Sequence, residues 1–200
     1  MNRLAQFLCA AALVGAGPAF AAPHKDGAHM PPPPPRAGGP MRPGAPLGPV
    51  MNFPVIDAAG KTIGTAMLQD TPSGVLVSTD LKGVPAGEHG FHFHEKGMCD
   101  AAQKFTTAGA HFAPGKTQHG LLVTGGPHGG DMPNQFVGAD GMLKAQVLNT
   151  GVTFAPGPRS LADVDGSALV IHAKPDDYKT QPSGDAGDRI ACAVVAAPKK

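Results

Sequence analysis

From about Val50 onward the chain is predicted to be an all-β domain carrying two long loops, and three observations predict it. Short β-branched or alternating runs recur, Gly, Pro, Asp and Asn punctuate them, and no long run has helical period. The runs give strands over 51–56, 62–69, 74–81, 90–95, 141–147, 168–172 and 189–195. Turns at Asp57-Ala58-Ala59-Gly60 and Asp140-Gly141 fit hairpins. The stretches 99–138 and 173–188 contain no predicted strand and are far longer than ordinary β connections. Loops of that size usually carry function. The residues from 51 to 200 suffice for one domain with its own core.

Two segments precede this domain. Residues 1–21 combine Arg3, an apolar run from Phe7 to Val14 and the small-residue end Ala19-Phe20-Ala21, which reads as a secretory signal cleaved after Ala21. The run is too short to span a bilayer, so no membrane insertion is expected. Residues 22–50 hold ten of the 22 prolines, with Pro31 to Pro35 consecutive, and almost nothing that fills a core. An extended, mobile arm is expected there. Its His24, His29, Met30 and Met41 are soft or borderline ligands that could collect copper for the domain, although chance His and Met on a solvated tether explain them as well.

An exported chain is expected in a compartment where disulfides persist. Cys9 leaves with the signal, so Cys99 and Cys192 remain and are expected to pair rather than stay as buried thiols. Such a bridge would tie the first loop to the last strand and, closing over 90 residues, contribute roughly 4–5 kcal/mol. After cleavage the chain carries 15 basic and 15 acidic residues. A net charge near zero argues against nucleic-acid or membrane-surface partners.

The chemistry concentrates between Gly90 and Asp131, which holds five of the nine histidines. His92 and His94 are two apart on a predicted strand, so they point to one side of the sheet and can share a metal ion. His111, His119, His128 and Asp131 follow, separated by Gly and Pro, as in a loop that folds back to gather distant ligands. A carboxylate oxygen among imidazoles suits zinc. Singly, each feature has an ordinary explanation: a core or surface histidine pair, or a Gly-Pro turn with an incidental histidine. Six candidate ligands in one stretch are far harder to explain that way.

The second loop adds His172, at the end of the apolar strand Ser167-Ala-Leu-Val-Ile-His172, and then Asp176. Arg189 follows this loop, three residues before Cys192. It could serve as a salt-bridge partner or dock an anion beside a metal.

The segments GFHFHEKGMCD, AGAHFAPGKTQHG, HGGDMPN, ALVIHAKPDDY and QPSGDAGDRIAC resemble, in order, the copper/zinc superoxide dismutases in their exported bacterial form. The resemblance implies an eight-stranded Greek-key β-barrel or sandwich. It implies copper held by His92, His94, His111 and His172, and zinc held by His111, His119, His128 and Asp131. His111 would bridge the two ions and carry a proton to the outgoing peroxide. Asp176 would link His119 to a copper ligand, either His92 or His94, and Arg189 would guide the superoxide anion. Several positions depart from the family pattern. Ala110 and Ala113 flank His111, while Asp185 and Asp188 place negative charge near Arg189 in a domain already at net −2. Lys96, Lys104, Lys174 and Lys179 are candidates to compensate. The expected activity is superoxide disproportionation with one copper and one zinc ion per chain, protecting the cell envelope. The alternative is a related protein that buffers or delivers copper or zinc. Both a monomer and a homodimer are compatible with the sequence.

Overall fold

Alternation along the strands decides which side chains face inward, and the resulting apolar faces are joined in one sheet. The computed structural model describes residues 47–199, so the expected signal (1–21) and all but the end of the expected arm (22–50) lie outside the described residues. Eight strands are present: β1 (Val50–Asp57), β2 (Thr62–Thr71), β3 (Gly74–Lys82), β4 (Gly87–His94), β5 (Asp131–Val137), β6 (Met142–Asn149), β7 (Ser167–His172) and β8 (Arg189–Ala196). All pairings are antiparallel, in the order β5-β4-β7-β8-β1-β2-β3-β6. The two end strands, β5 and β6, are in contact without pairing, which nearly closes the barrel. Among the described residues the only helical pieces are 3-10 turns at Ala101–Gln103 and Thr106–Ala108.

The barrel interior is filled by one face of these strands, including Leu68, Val77, Leu81, Phe91, Phe93, Leu143, Leu169 and Ile171, all buried. Each large side chain contributes roughly 1.5–3 kcal/mol by leaving water. The opposite faces of β4, β7 and β8 are not left to solvent. Phe105 and Ala108 of the first long loop cover Ala168, Val170 and Cys192 in a second, smaller cluster. Cys99 and Cys192 form a disulfide with a Cα–Cα distance of 5.8 Å, pinning that loop to β8. Pairing between β1 and β8 is confined to Ile56 with Cys192 and Asp57 with Ala191, so the bridge lies at the narrowest seam of the sheet.

One expectation requires correction. The stretch 99–138 is not free of strand, because β5 occupies its last part. Pro133 and Asn134 lie within β5, and both are poor strand residues by propensity. Proline is tolerated because β5 pairs only with β4 and has a free edge. This is the eighth strand that the family resemblance implied.

Candidate metal centre

Strand β4 places Phe91 and Phe93 in the barrel core, so His92 and His94 project from its outer face. Both are fully buried there, beneath the two long loops. Register carries the other ligands to them. His92 pairs with Asp131 of β5 on one side and with Val170 of β7 on the other, two residues from His172. His111 forms a bridge with His94 from the first loop.

Two four-residue groups result, His92, His94, His111 and His172, and His111, His119, His128 and Asp131. In each group one candidate ligand atom per residue lies within 4.8 Å of all the others. The groups share His111, and together they contain every residue expected from the sequence as a ligand.

The hydrogen bonds fix which atom of each ring is free. His92 and His119 donate from Nε2 to Asp176 Oδ2 and Oδ1, at 2.8 and 3.0 Å. Asp176 therefore links His119 to His92 rather than to His94. His94 donates from Nδ1 to the Gly109 carbonyl at 3.0 Å, and His172 from Nδ1 to the Gly187 carbonyl at 3.3 Å. Their Nε2 atoms converge to 3.3 Å. Outer partners of this kind set ring orientation and leave a lone pair for a metal. The buried Nδ1 atoms of His92, His119 and His128 and Nε2 of His111 have no hydrogen-bond partner. His119 and His128 Nδ1 do lie 3.1 and 3.4 Å from Asp131 oxygens, but without hydrogen-bond alignment. Unpartnered buried nitrogens are costly, and their convergence fits two ions. The all-imidazole group suits copper and the group with a carboxylate suits zinc.

Asp176 is itself held in place. Its backbone N–H donates to Asn134 Oδ1 and its carbonyl accepts from Asn134 Nδ2, at 2.8 and 2.9 Å. Gly184 has a φ of 71°, and a Cβ there would collide with the Asp176 carboxylate. Sequence reasoning missed Asn134, although it stands three residues after Asp131 in HGGDMPN.

Charge follows from this packing. Burial disfavours a charged His119, but the carboxylates of Asp131 and Asp176 outweigh it and raise its pKa to about 9. Burial is the largest influence on His94, His111 and His172 and lowers all three, to about 4 for His111 despite Asp131, and to about 3 for His172 with help from His92. Near neutral pH the metal-free protein therefore holds His119 protonated and these three neutral. Zinc uptake is expected to release about one proton from His119, and the ion that completes the His111 bridge releases the remaining N–H proton of that ring, whereas copper displaces none from His94 or His172. The His119 release vanishes as pH rises through about 9, where the ring has already lost its proton. Calorimetry in buffers of different ionisation enthalpy measures it, and a His119→Ala comparison isolates the contribution of this residue.

A cleft of about 650 Å³ opens onto the shared histidine and is lined by His111, His172, Arg189, Glu95, Lys116 and Ser183, among others. Arg189 donates to the carbonyls of Phe105 and Gly109, each at 2.6 Å, which holds its cation at the cleft wall. Burial lowers its pKa from a very high ordinary value. Ala110 and Ala113 line the cleft without disturbing the ligands. Asp185 and Asp188 are exposed, line no part of the cleft and make no ion pair with Arg189. The cleft lysine is Lys116, not Lys96, Lys104, Lys174 or Lys179.

A sequence profile described as copper/zinc superoxide dismutase (SODC) matches residues 62–195. The chain is 48% identical over 143 residues to Superoxide dismutase [Cu-Zn] 2 of Aquifex aeolicus (strain VF5), covering 70% of this chain and 83% of the relative. It is 37% identical over 153 residues to Superoxide dismutase [Cu-Zn] of Escherichia coli (strain K12), covering 72% and 85%. Among solved structures, a SOD-like protein from Bacillus subtilis superposes with a TM-score of 0.70 at 32% identity, covering 74% of this chain and all of the other. The Cu/Zn superoxide dismutase from Brucella abortus gives 0.60 at 28% identity, covering 74% and 99%.

Proposed function

Because the chain belongs to the copper/zinc superoxide dismutase family and converts superoxide to dioxygen and hydrogen peroxide, we propose that His92, His94, His111 and His172 hold its copper and His111, His119, His128 and Asp131 its zinc. The observation that carries this assignment is the pair of four-ligand groups meeting at one histidine. Copper held there would supply a one-electron couple for the two halves of the reaction, and zinc would supply fixed charge. The residues do the rest. Arg189 and Lys116 present cations along the cleft and draw in a small anion. His111 faces the same cleft and is the residue proposed to pass a proton to the product. Asp176 holds the rings of His92 and His119 and thereby orients both groups. The metal-buffer alternative is not favoured, since it has no use for an arginine clamped at the cleft wall.

Residues 1–21, 22–50 and 51–200 are proposed as export signal, Pro-rich arm and enzyme domain, with the mature protein in the periplasm. The Cys99–Cys192 disulfide supports an oxidising compartment. A copper-collecting role for the arm rests on His24, His29, Met30 and Met41. Among the described residues no helix is long and apolar enough to cross a membrane.

Arg189→Ala tests the reading. In the copper- and zinc-loaded protein, kcat/KM at low ionic strength is expected to fall by about tenfold or more, with a flatter dependence on salt, because steering raises on-rates by 10 to 1,000-fold. Full activity with an unchanged salt dependence would remove Arg189 from substrate guidance.

A further inference from the structure

We propose that Gln181 is a positioning residue for zinc, its side-chain amide clamping the main chain of His119 so that the imidazole is held in line with His111, His128 and Asp131. The inference rests on the zinc assignment above. The backbone N–H of His119 donates to Gln181 Oε1 at 2.9 Å, and Gln181 Nε2 donates back to the His119 carbonyl at 2.8 Å. One side-chain amide thus satisfies both main-chain groups of a single ligand, as a neighbouring strand would. Gln181 Nε2 also donates to the Lys179 carbonyl at 3.0 Å, which restrains the clamp itself.

The clamp comes from the same loop as Asp176, which accepts from His119 Nε2. Gln181 therefore fixes where the His119 backbone lies, and Asp176 fixes how its ring is turned. Neither contact alone does both. The next residue leaves little slack: Gly120 donates to Asp131 Oδ2 at 2.9 Å, has a φ of 108°, and would drive a Cβ into the Tyr178 carbonyl. His119 is consequently gripped from the second loop on one side and tied to Asp131 on the other. Gln181 is exposed while His119 is fully buried, so the clamp reaches from the surface to a ligand beneath it.

The test uses full-length mature protein loaded with copper and zinc, in wild-type, Gln181→Ala, Gln181→Glu and His128→Ala forms. Gln181→Glu keeps the shape and the acceptor for His119 N–H but loses the donor to the carbonyl. Zinc affinity is measured by chelator competition, and cobalt(II) placed in the zinc site reports ligand geometry by its visible spectrum. Partners outside the ligand shell typically change metal affinity by 10–100-fold, and an exposed amide falls at the lower end. We expect zinc affinity to drop about tenfold in Gln181→Ala and less in Gln181→Glu, with a shifted cobalt spectrum in both and copper affinity unchanged. Should Gln181→Ala fail to fold, the isosteric Gln181→Glu decides by the same two readouts. Lower thermal stability with zinc affinity and cobalt spectrum unchanged would overturn the positioning role and leave the zinc assignment intact. Wild-type zinc binding that is absent, or that His128→Ala does not weaken, would overturn both.

Discussion

Replacing His172 by alanine is expected to abolish superoxide turnover while zinc stays bound. His172 belongs only to the four-histidine group, is 4% exposed, and its Nε2 lies 3.3 Å from that of His94. Its loss opens one side of the copper group and leaves His111, His119, His128 and Asp131 complete. Removing a partner outside the ligand shell typically costs 10–100-fold, so removing a ligand is expected to lower kcat/KM by more than about a hundredfold. The check is disproportionation by loaded wild-type and variant proteins, with both metals counted. Full copper and full turnover in the variant would show that copper does not use His172.

Breaking the Cys99–Cys192 bridge, by Cys99→Ala with Cys192→Ala, should be the largest single loss of stability outside the core. The closed loop spans 93 residues, for which chain entropy gives roughly 4–5 kcal/mol. For a domain of this size that corresponds to a fall of about 10–20 °C in Tm. Function should suffer too, below the melting transition. The loop pinned by Cys99 contains Phe105 and Gly109, whose carbonyls hold Arg189, and Gly109 also accepts from His94. Thermal unfolding of the loaded variant measures the first effect, and the salt dependence of kcat/KM the second. A Tm within about 2 °C of wild type, well inside the loss expected from this loop, would mean that packing of Phe105 and Ala108 alone secures the loop.

Much of this centre was legible in the sequence because its ligands are of few residue types and the strand period is simple. His92 and His94 needed only a period of two, and the apolar run ending at His172 marked its own strand. β5 was not legible in that way, because Pro133 and Asn134 speak against a strand unless the strand is known to lie at the end of a sheet. Gln181 and Lys116 were equally silent. A hydrogen bond to a backbone 62 residues away leaves no local pattern, and a cleft lysine looks like any other surface lysine until the cleft exists. The choice between His92 and His94 as partner of Asp176 also had to wait for ring orientation, which spacing cannot supply.

The two ligand groups differ in how far apart their members lie along the chain, and this bears on the order in which the centre is born. The carboxylate-bearing group runs from His111, in the connection after β4, to Asp131, the first residue of β5. The all-histidine group runs from His92 to His172 and depends on β4 and β7 being paired. Bringing distant segments together must be completed before such contacts return any benefit, and sheets built from non-local pairs fold slowly. The residues proposed for zinc are thus near neighbours along the chain, although His119 is held by Asp176 and Gln181 of the second loop, whereas those proposed for copper meet only once β4 and β7 have paired. Both groups therefore reach their final form only when the second loop has docked, and the all-histidine group also records the pairing of β4 with β7.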